Sequence, residues 1–155
     1  MELVEITENG TSSKSISDLS DLIKAVMSST AELYASVGYV PPWIGYLAFE
    51  ENMCVGTCAF KSPPENRRVE IAYFTFPGHE GQSVATRMAQ ALVQMAFESV
   101  PELTIAAQTL PEERASTSVL KKLGFRLVAE LEHPKDGKIW EWWLSNSKED
   151  CCILK

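Results

Sequence analysis

Apolar residues recur along this chain in two rhythms, one of period two and one near 3.6, and the alternation between them sets out the elements. Glu2–Ile6 alternates polar and apolar side chains and predicts a first strand, followed by a polar loop over Thr7–Ser15. Leu19, Leu22, Ile23, Val26 and Met27 then fall at helical spacing behind Ser17-Asp18, which suit an N-cap. The pattern predicts a helix with a break near Ser28–Thr30, reaching about Ser36, and stopped by Gly38 and Pro41-Pro42. Trp43–Phe49 and Met53–Phe60 read as a hairpin around Glu50-Glu51-Asn52. After the loop Ser62–Asn66, a further strand covers Arg68–Phe76 and ends at Pro77-Gly78.

From about Gln82 to Ser99 the period returns to that of a helix, with Val84, Met88, Leu92 and Met95 on one stripe and Ala85, Ala89, Val93 and Phe97 beside it. Apolar on more than one face, this helix belongs inside the molecule. Leu103–Ala107 is a short strand. Pro111 opens another helix, which Gly124 ends behind Lys121 and Lys122. Phe125–Leu131 and Lys138–Leu144 close the order as a β-pair around Pro134–Gly137. The succession β, α, β-β-β, α, β, α, β-β predicts an α+β fold, a mixed three-layer α/β/α sandwich, over residues 1–145, with 146–155 as a flexible tail.

Composition narrows the function classes. A net charge of −7 argues against nonspecific nucleic-acid binding, which needs a basic footprint. It leaves room for an anionic cofactor held by backbone N–H groups, and it suits a cationic acceptor. No apolar run reaches the roughly 20 residues that span a bilayer, and the start lacks a secretory signal, so the expectation is a cytoplasmic protein with no membrane partner. Cys54 and Cys58 lie four apart on one strand, about 13 Å, too far for a disulfide, and Cys151 and Cys152 are adjacent in the tail. His79 and His133 stand apart, and no cysteine or histidine spacing fits a metal site.

Two segments hold the candidate chemistry. In Val69–Leu92 a strand runs through a glycine-containing turn into the buried helix. The unpaired N–H groups of that helix's first turn, about Gln82–Ala85, together with its dipole would receive a diphosphate; read plainly, Gly81 marks only a turn. In Thr109–Glu130 a loop feeds a short amphipathic helix whose Val119, Leu120 and Leu123 point to a core, and Leu-Gly-Phe turns it into a strand.

Together these segments resemble the GNAT superfamily of acyl-CoA-dependent N-acetyltransferases, and within it the ribosomal-protein N-terminal acetyltransferase branch. Glu80-Gly81-Gln82-Ser83-Val84-Ala85-Thr86 is similar to the R-G-x-G-x-A-T motif. Glu113 and Ser116, followed by Leu120, Leu123, Gly124 and Phe125, stand in the register of N-x-x-S-x-x-x-L-x-x-L-G-F, and Val69–Tyr73 is similar to the E-I-G-Y strand. The resemblance covers about Trp43–Leu144 and departs at Glu80, Ser83 and Glu113, where the family has Arg or Gln, Gly, and Asn.

The resemblance implies a mostly antiparallel sheet splayed at the strand around Arg68–Phe76, acetyl-CoA as cofactor, and as acceptor the primary amine of a small molecule or of a peptide or protein N-terminus. The cofactor would meet Phe74, Thr75, Phe76, Gly81, Gln82, Ser83, Val84, Ala85, Thr86, Glu113 and Ser116. A bulge would splay the strand, with the N–H of Phe74 at the thioester carbonyl and that of Phe76 at the pantetheine arm, an oxyanion-hole arrangement. Glu70, on the same strand face as Phe74, is the candidate general base, with Glu141 as alternative, or else an ordinary ion-paired strand residue. Many relatives place a tyrosine where Leu120 stands, so Ser116 is the candidate proton donor, or else a plain helix residue. The tryptophan-rich last strand would be core, pocket lining, or the face of a homodimer. The rival reading is a non-catalytic acyl-CoA-binding module.

Overall fold

The computed structural model of the chain describes residues 1–17, 19–112 and 114–146. Its elements run β1 (Glu2–Glu5), α1 (Asp21–Val37), β2 (Gly45–Glu50), β3 (Met53–Phe60), β4 (Arg68–Thr75), α2 (Val84–Ser99), β5 (Thr104–Thr109), α3 (Ala115–Lys122), β6 (Arg126–His133) and β7 (Gly137–Leu144). The seven strands form one sheet in the order β1-β2-β3-β4-β5-β7-β6. Every neighbour is antiparallel except the β4–β5 pair. The order of elements matches the sequence pattern throughout; the differences lie at element ends and at one expected break in the first helix.

Register decides which side chains share a face. Leu47, Thr57 and Phe74 stand opposite one another on β2, β3 and β4, and so do Tyr46, Cys58 and Tyr73 on the reverse face. α1 covers the first of these faces, where Ile23 and Met27 pack with Val4, Ile6, Leu47 and Phe76. α2 covers the second with Val84, Met88 and Leu92, and α3 adds Val119 and Leu120. The result is the expected α/β/α sandwich. At Gly56 α2 packs close on the sheet: a Cβ there would lie 2.7 Å from the Phe74 carbonyl oxygen and 3.0 Å from the Met88 sulfur.

Tyr34 fixes α1 to the sheet. Its hydroxyl donates to the Ile6 carbonyl (2.8 Å) and accepts from the Gly45 N–H (2.8 Å), answering two buried backbone groups at the end of β1. The cap of α1 is Ser20, whose hydroxyl accepts from Ile23 N–H at 3.2 Å, so the helix begins later than Ser17 predicts; Asp18 lies outside the described residues. The expected break at Ser28–Thr30 is absent: α1 runs through unbroken, and Thr30 turns its hydroxyl back to the Val26 carbonyl (2.8 Å). Beyond Asn146 the expected tail also lies outside the described residues.

Candidate active site

β4 and β5 run side by side only from Arg68↔Thr104 to Ile71↔Ala107. Beyond that rung β4 stays with β3 as far as Thr75, while β5 stays with β7 as far as Thr109. The sheet therefore opens between Ala72–Thr75 and Gln108–Thr109. β4 itself has no bulge, since its register with β3 is regular from Phe60↔Ile71 to Gly56↔Thr75. The opening arises because each strand keeps its outer partner, and the expected bulge is not needed for it.

Three hydrogen bonds fix which backbone groups face the opening. Lys61 N–H donates to the Glu70 carbonyl (2.8 Å) and Phe76 N–H to the Val55 carbonyl (2.9 Å), so the even residues of β4 turn their polar groups toward β3. Thr104 N–H donates to the Arg67 carbonyl (2.8 Å), which turns the odd residues toward β5. The N–H groups expected at the opening, those of Phe74 and Phe76, are thus committed to β3. Those of Tyr73 and Thr75 face the opening instead, beyond the last β4–β5 rung.

The loop after β4 leads into the start of α2. Gly78 and Gly81 have φ of 93° and 79°, and Ser83, the N-cap, sits in the left-handed region at φ 61°. Nothing lies within 4 Å of a Cβ built on Gly81, so backbone conformation and not space calls for glycine there. At Ser83 the same conformation costs a side-chain-bearing residue about 1 kcal/mol, which the family's glycine would not incur. α2 begins at Val84, two residues later than the sequence predicts, and the N–H groups of Val84, Ala85 and Thr86 have no acceptor within the helix. Gly81, Gln82 and Ser83 are exposed beside them. This cradle fits a diphosphate, since free N–H groups and the positive end of a sixteen-residue helix converge there.

The charges around the cradle are mostly spoken for. Glu80, exposed, accepts from the Gly78 N–H (2.8 Å) and faces any anion with a like charge. Arg87 forms a two-pronged ion pair with Glu50 (2.5 and 2.6 Å), and the hydrogen bond from Arg87 holds the Glu50 carboxyl below its usual range. Arg114 pairs with Glu112 (2.8 Å), and Glu113 lies outside the described residues. Neither arginine is therefore a ready counter-ion for the cradle.

Across the opening stands α3. Tyr73 reaches it with its hydroxyl, which donates to the Ser116 carbonyl at 3.2 Å, and burial pushes the Tyr73 phenol up to about 12. Ser116 itself is half-buried, while Leu120 is fully buried in the core. Alternation assigns the Tyr73 side chain to the core, and it packs there; what alternation does not tell is that the Tyr73 N–H, and not that of Phe74, faces the opening.

The open part of the α1 face carries Glu70, Arg68, Gln108, Glu141 and Trp143. Glu70 shares this face with Phe74, as alternation requires, and lies opposite Ala106. Lys61 Nζ approaches its Oε2 to 2.6 Å without hydrogen-bond alignment, and Arg68 is 3.7 Å from Oε1. Glu141, with its side chain 9% exposed, takes Arg68 at 2.9 Å, Gln108 Nε2 at 3.1 Å and Trp143 Nε1 at 2.6 Å. Burial alone would raise the Glu141 carboxyl; the bonds from Trp143, Gln108 and Arg68 outweigh it and hold the group below its usual range. Trp142 is buried in the core on the other face, donating to Thr109 Oγ1 at 3.0 Å.

Comparison with known proteins places these features. The chain is 33% identical over 78 residues to an uncharacterized N-acetyltransferase, p20, of Bacillus licheniformis, a match that spans 50% of this chain and 44% of that protein. In fold it is similar to the ribosomal-protein α-N-acetyltransferase RimL solved with coenzyme A (TM-score 0.65, 18% identity, 81% of this chain and 72% of that one). It is also similar to a spermidine N-acetyltransferase chimera from Vibrio cholerae (TM-score 0.63, 14% identity, 79% and 81%). The acetyltransferase (GNAT) domain family matches residues 5–126, from β1 through the opened strands to the first residue of β6, and the chain belongs to that family.

Proposed function

We propose that this chain transfers the acetyl group of acetyl-CoA to a primary amine of a small molecule or of a peptide N-terminus. The observation that supports it most is the opening beyond Ile71↔Ala107, with the Tyr73 and Thr75 N–H groups turned into it beside the free first turn of α2. In this reading Gly81–Thr86 hold the pyrophosphate of the cofactor, and Tyr73 and Thr75 hold its acyl arm. When bound, acetyl-CoA supplies an activated acyl carbon and a thiol leaving group. The Tyr73 N–H stabilises charge on the carbonyl oxygen, an effect typically worth about 3 kcal/mol.

Proton movements fall to three groups. Both oxygens of Glu141 are hydrogen-bonded, whereas Glu70 Oε2, ion-paired to Lys61, has no hydrogen-bond partner, so Glu70 accepts the amine's proton. Its Cα lies about 10 Å along the strand from Tyr73, which calls for transfer through ordered water. Tyr73, kept protonated by burial, and Ser116 are the donors nearest the opening for the departing thiolate. The protein works as one domain over 1–145 in the cytoplasm, and no described helix is long and apolar enough to cross a membrane.

A non-catalytic acyl-CoA-binding module is the competing reading, favoured by the strained Ser83 and the charge of Glu80. Turnover separates the two. We expect calorimetry to detect acetyl-CoA binding, and an amine and peptide panel to release free thiol. Glu70→Gln and Tyr73→Phe should each lower kcat by about 100-fold with cofactor affinity unchanged. Binding without thiol release from any acceptor would leave the module reading standing.

A further inference from the structure

A groove of about 330 Å³ lies between α1 and the sheet, lined by Ala25, Val26, Ser29 and Thr30 on the helix and by Thr57–Ala59 and Ala72–Phe74 on β3 and β4. It shares Ala72–Phe74 with the wall of the opening, on the face away from α2. On the acetyl-transfer reading, an acyl group that enters from the α2 side would emerge beside it. None of its lining residues is charged, and the hydroxyls of two of them are already satisfied: Thr30 donates to the Val26 carbonyl (2.8 Å) and Thr57 to the Tyr46 carbonyl (2.8 Å). Apart from the exposed hydroxyl of Ser29, what remains is a surface of mostly small apolar side chains, with the exposed ring of Phe74 at its edge.

The carboxylates on this face do not alter that character. Glu70 is held by Lys61 and Arg68, and Glu141 by Arg68, Gln108 and Trp143. A charge of −7 over the whole chain attracts cations in general, yet the groove offers them no charged partner. Seating a second ammonium there would strip its hydration without compensation.

We infer that the acceptor is a monoamine whose amino group is borne on an apolar body, an aliphatic or aromatic chain that lies in the α1–β3–β4 groove, and that polyamines and aminoglycosides are poor acceptors. The inference rests on the acetyl-transfer reading above and names its substrate class.

Hexylamine and 1,6-diaminohexane make the test, since they share a length and differ by one terminal ammonium. Across propylamine, butylamine, pentylamine and hexylamine, kcat/KM should climb roughly fourfold per methylene. 1,6-Diaminohexane and spermidine should fall at least tenfold below hexylamine. Ala25→Glu, on the exposed side of α1, should cancel or reverse the hexylamine preference while leaving acetyl-CoA affinity and circular dichroism unchanged. A diamine preference in the unaltered protein, or an unchanged ratio in Ala25→Glu, overturns the inference. If no amine is acetylated, NMR of the coenzyme A complex still decides. Hexylamine shifting the Ala72 and Phe74 resonances where the diamine does not would support the groove while the acetyl-transfer reading falls. No shift from hexylamine would reject the groove.

Discussion

Glu80 and Ser83 sit at the cradle with opposite kinds of cost. Glu80 costs through charge: at about 8 Å from a phosphate and an effective dielectric of 20 to 80, repulsion weakens binding about threefold to thirtyfold. Glu80→Gln keeps an oxygen for the Gly78 N–H and removes only the charge, so calorimetry should show acetyl-CoA binding tighter by that factor. The gain should shrink as salt is raised, because the site is exposed. Ser83 costs through conformation, and its departure from the family's glycine is visible in sequence, although the positive φ behind it is not. Tyr73 shows the opposite limit. Which neighbour its N–H faces depends on a half-step of register between β3 and β4, fixed by contacts such as Phe76 N–H to Val55, and no residue of β4 announces that choice.

At the scale of elements, Arg68 ties β4 to β7. From β4 it pairs with Glu141 on β7 across β5, and it borders Glu70 on its own strand. The Glu141 carboxyl is held low in the folded state, so its contribution to stability is present above the ordinary carboxyl value near 4.3. That contribution is lost as pH falls through the depressed value. Arg68→Met removes one of the lowering partners and should bring the acid loss on at higher pH. Near pH 7 it should cost about 1–3 kcal/mol, discounted because Arg68 is partly exposed. Urea unfolding between about pH 3 and 7 checks both the size and the direction. This latch was not legible beforehand, because Glu141 and Arg68 meet only once β7 inserts between β5 and β6. The elements themselves were legible: period-two runs gave the strands, and the double apolar stripe of α2 gave a helix buried against β3 and β4.

For the whole molecule, the outer strand β6 exposes Leu127, Val128 and Leu131, each more than 40% accessible, and β7 exposes Trp143. A second copy of this chain is the partner proposed for that edge. Analytical ultracentrifugation should find a dimer, and Val128→Lys, a charge on an exposed edge strand, should shift it to monomer with the fold intact. A monomer at all concentrations in the unaltered protein would remove the homodimer from the picture. Sequence supplied the tryptophans of this region but not their division, which places Trp142 inside and Trp143 outside on a single strand.

The opening between β4 and β5 has one more consequence, for misassembly. A sheet that parts within itself has an interior edge, where unpaired backbone groups invite a foreign strand as an outer edge does. Here the free stretch of β4 is only Ala72–Thr75, short of a stable pairing segment, and Phe76-Pro77 ends it with a residue that cannot extend a ladder. α2 and α3 flank it on one side. The same brevity that leaves room for a thin acyl arm keeps a foreign strand from pairing there.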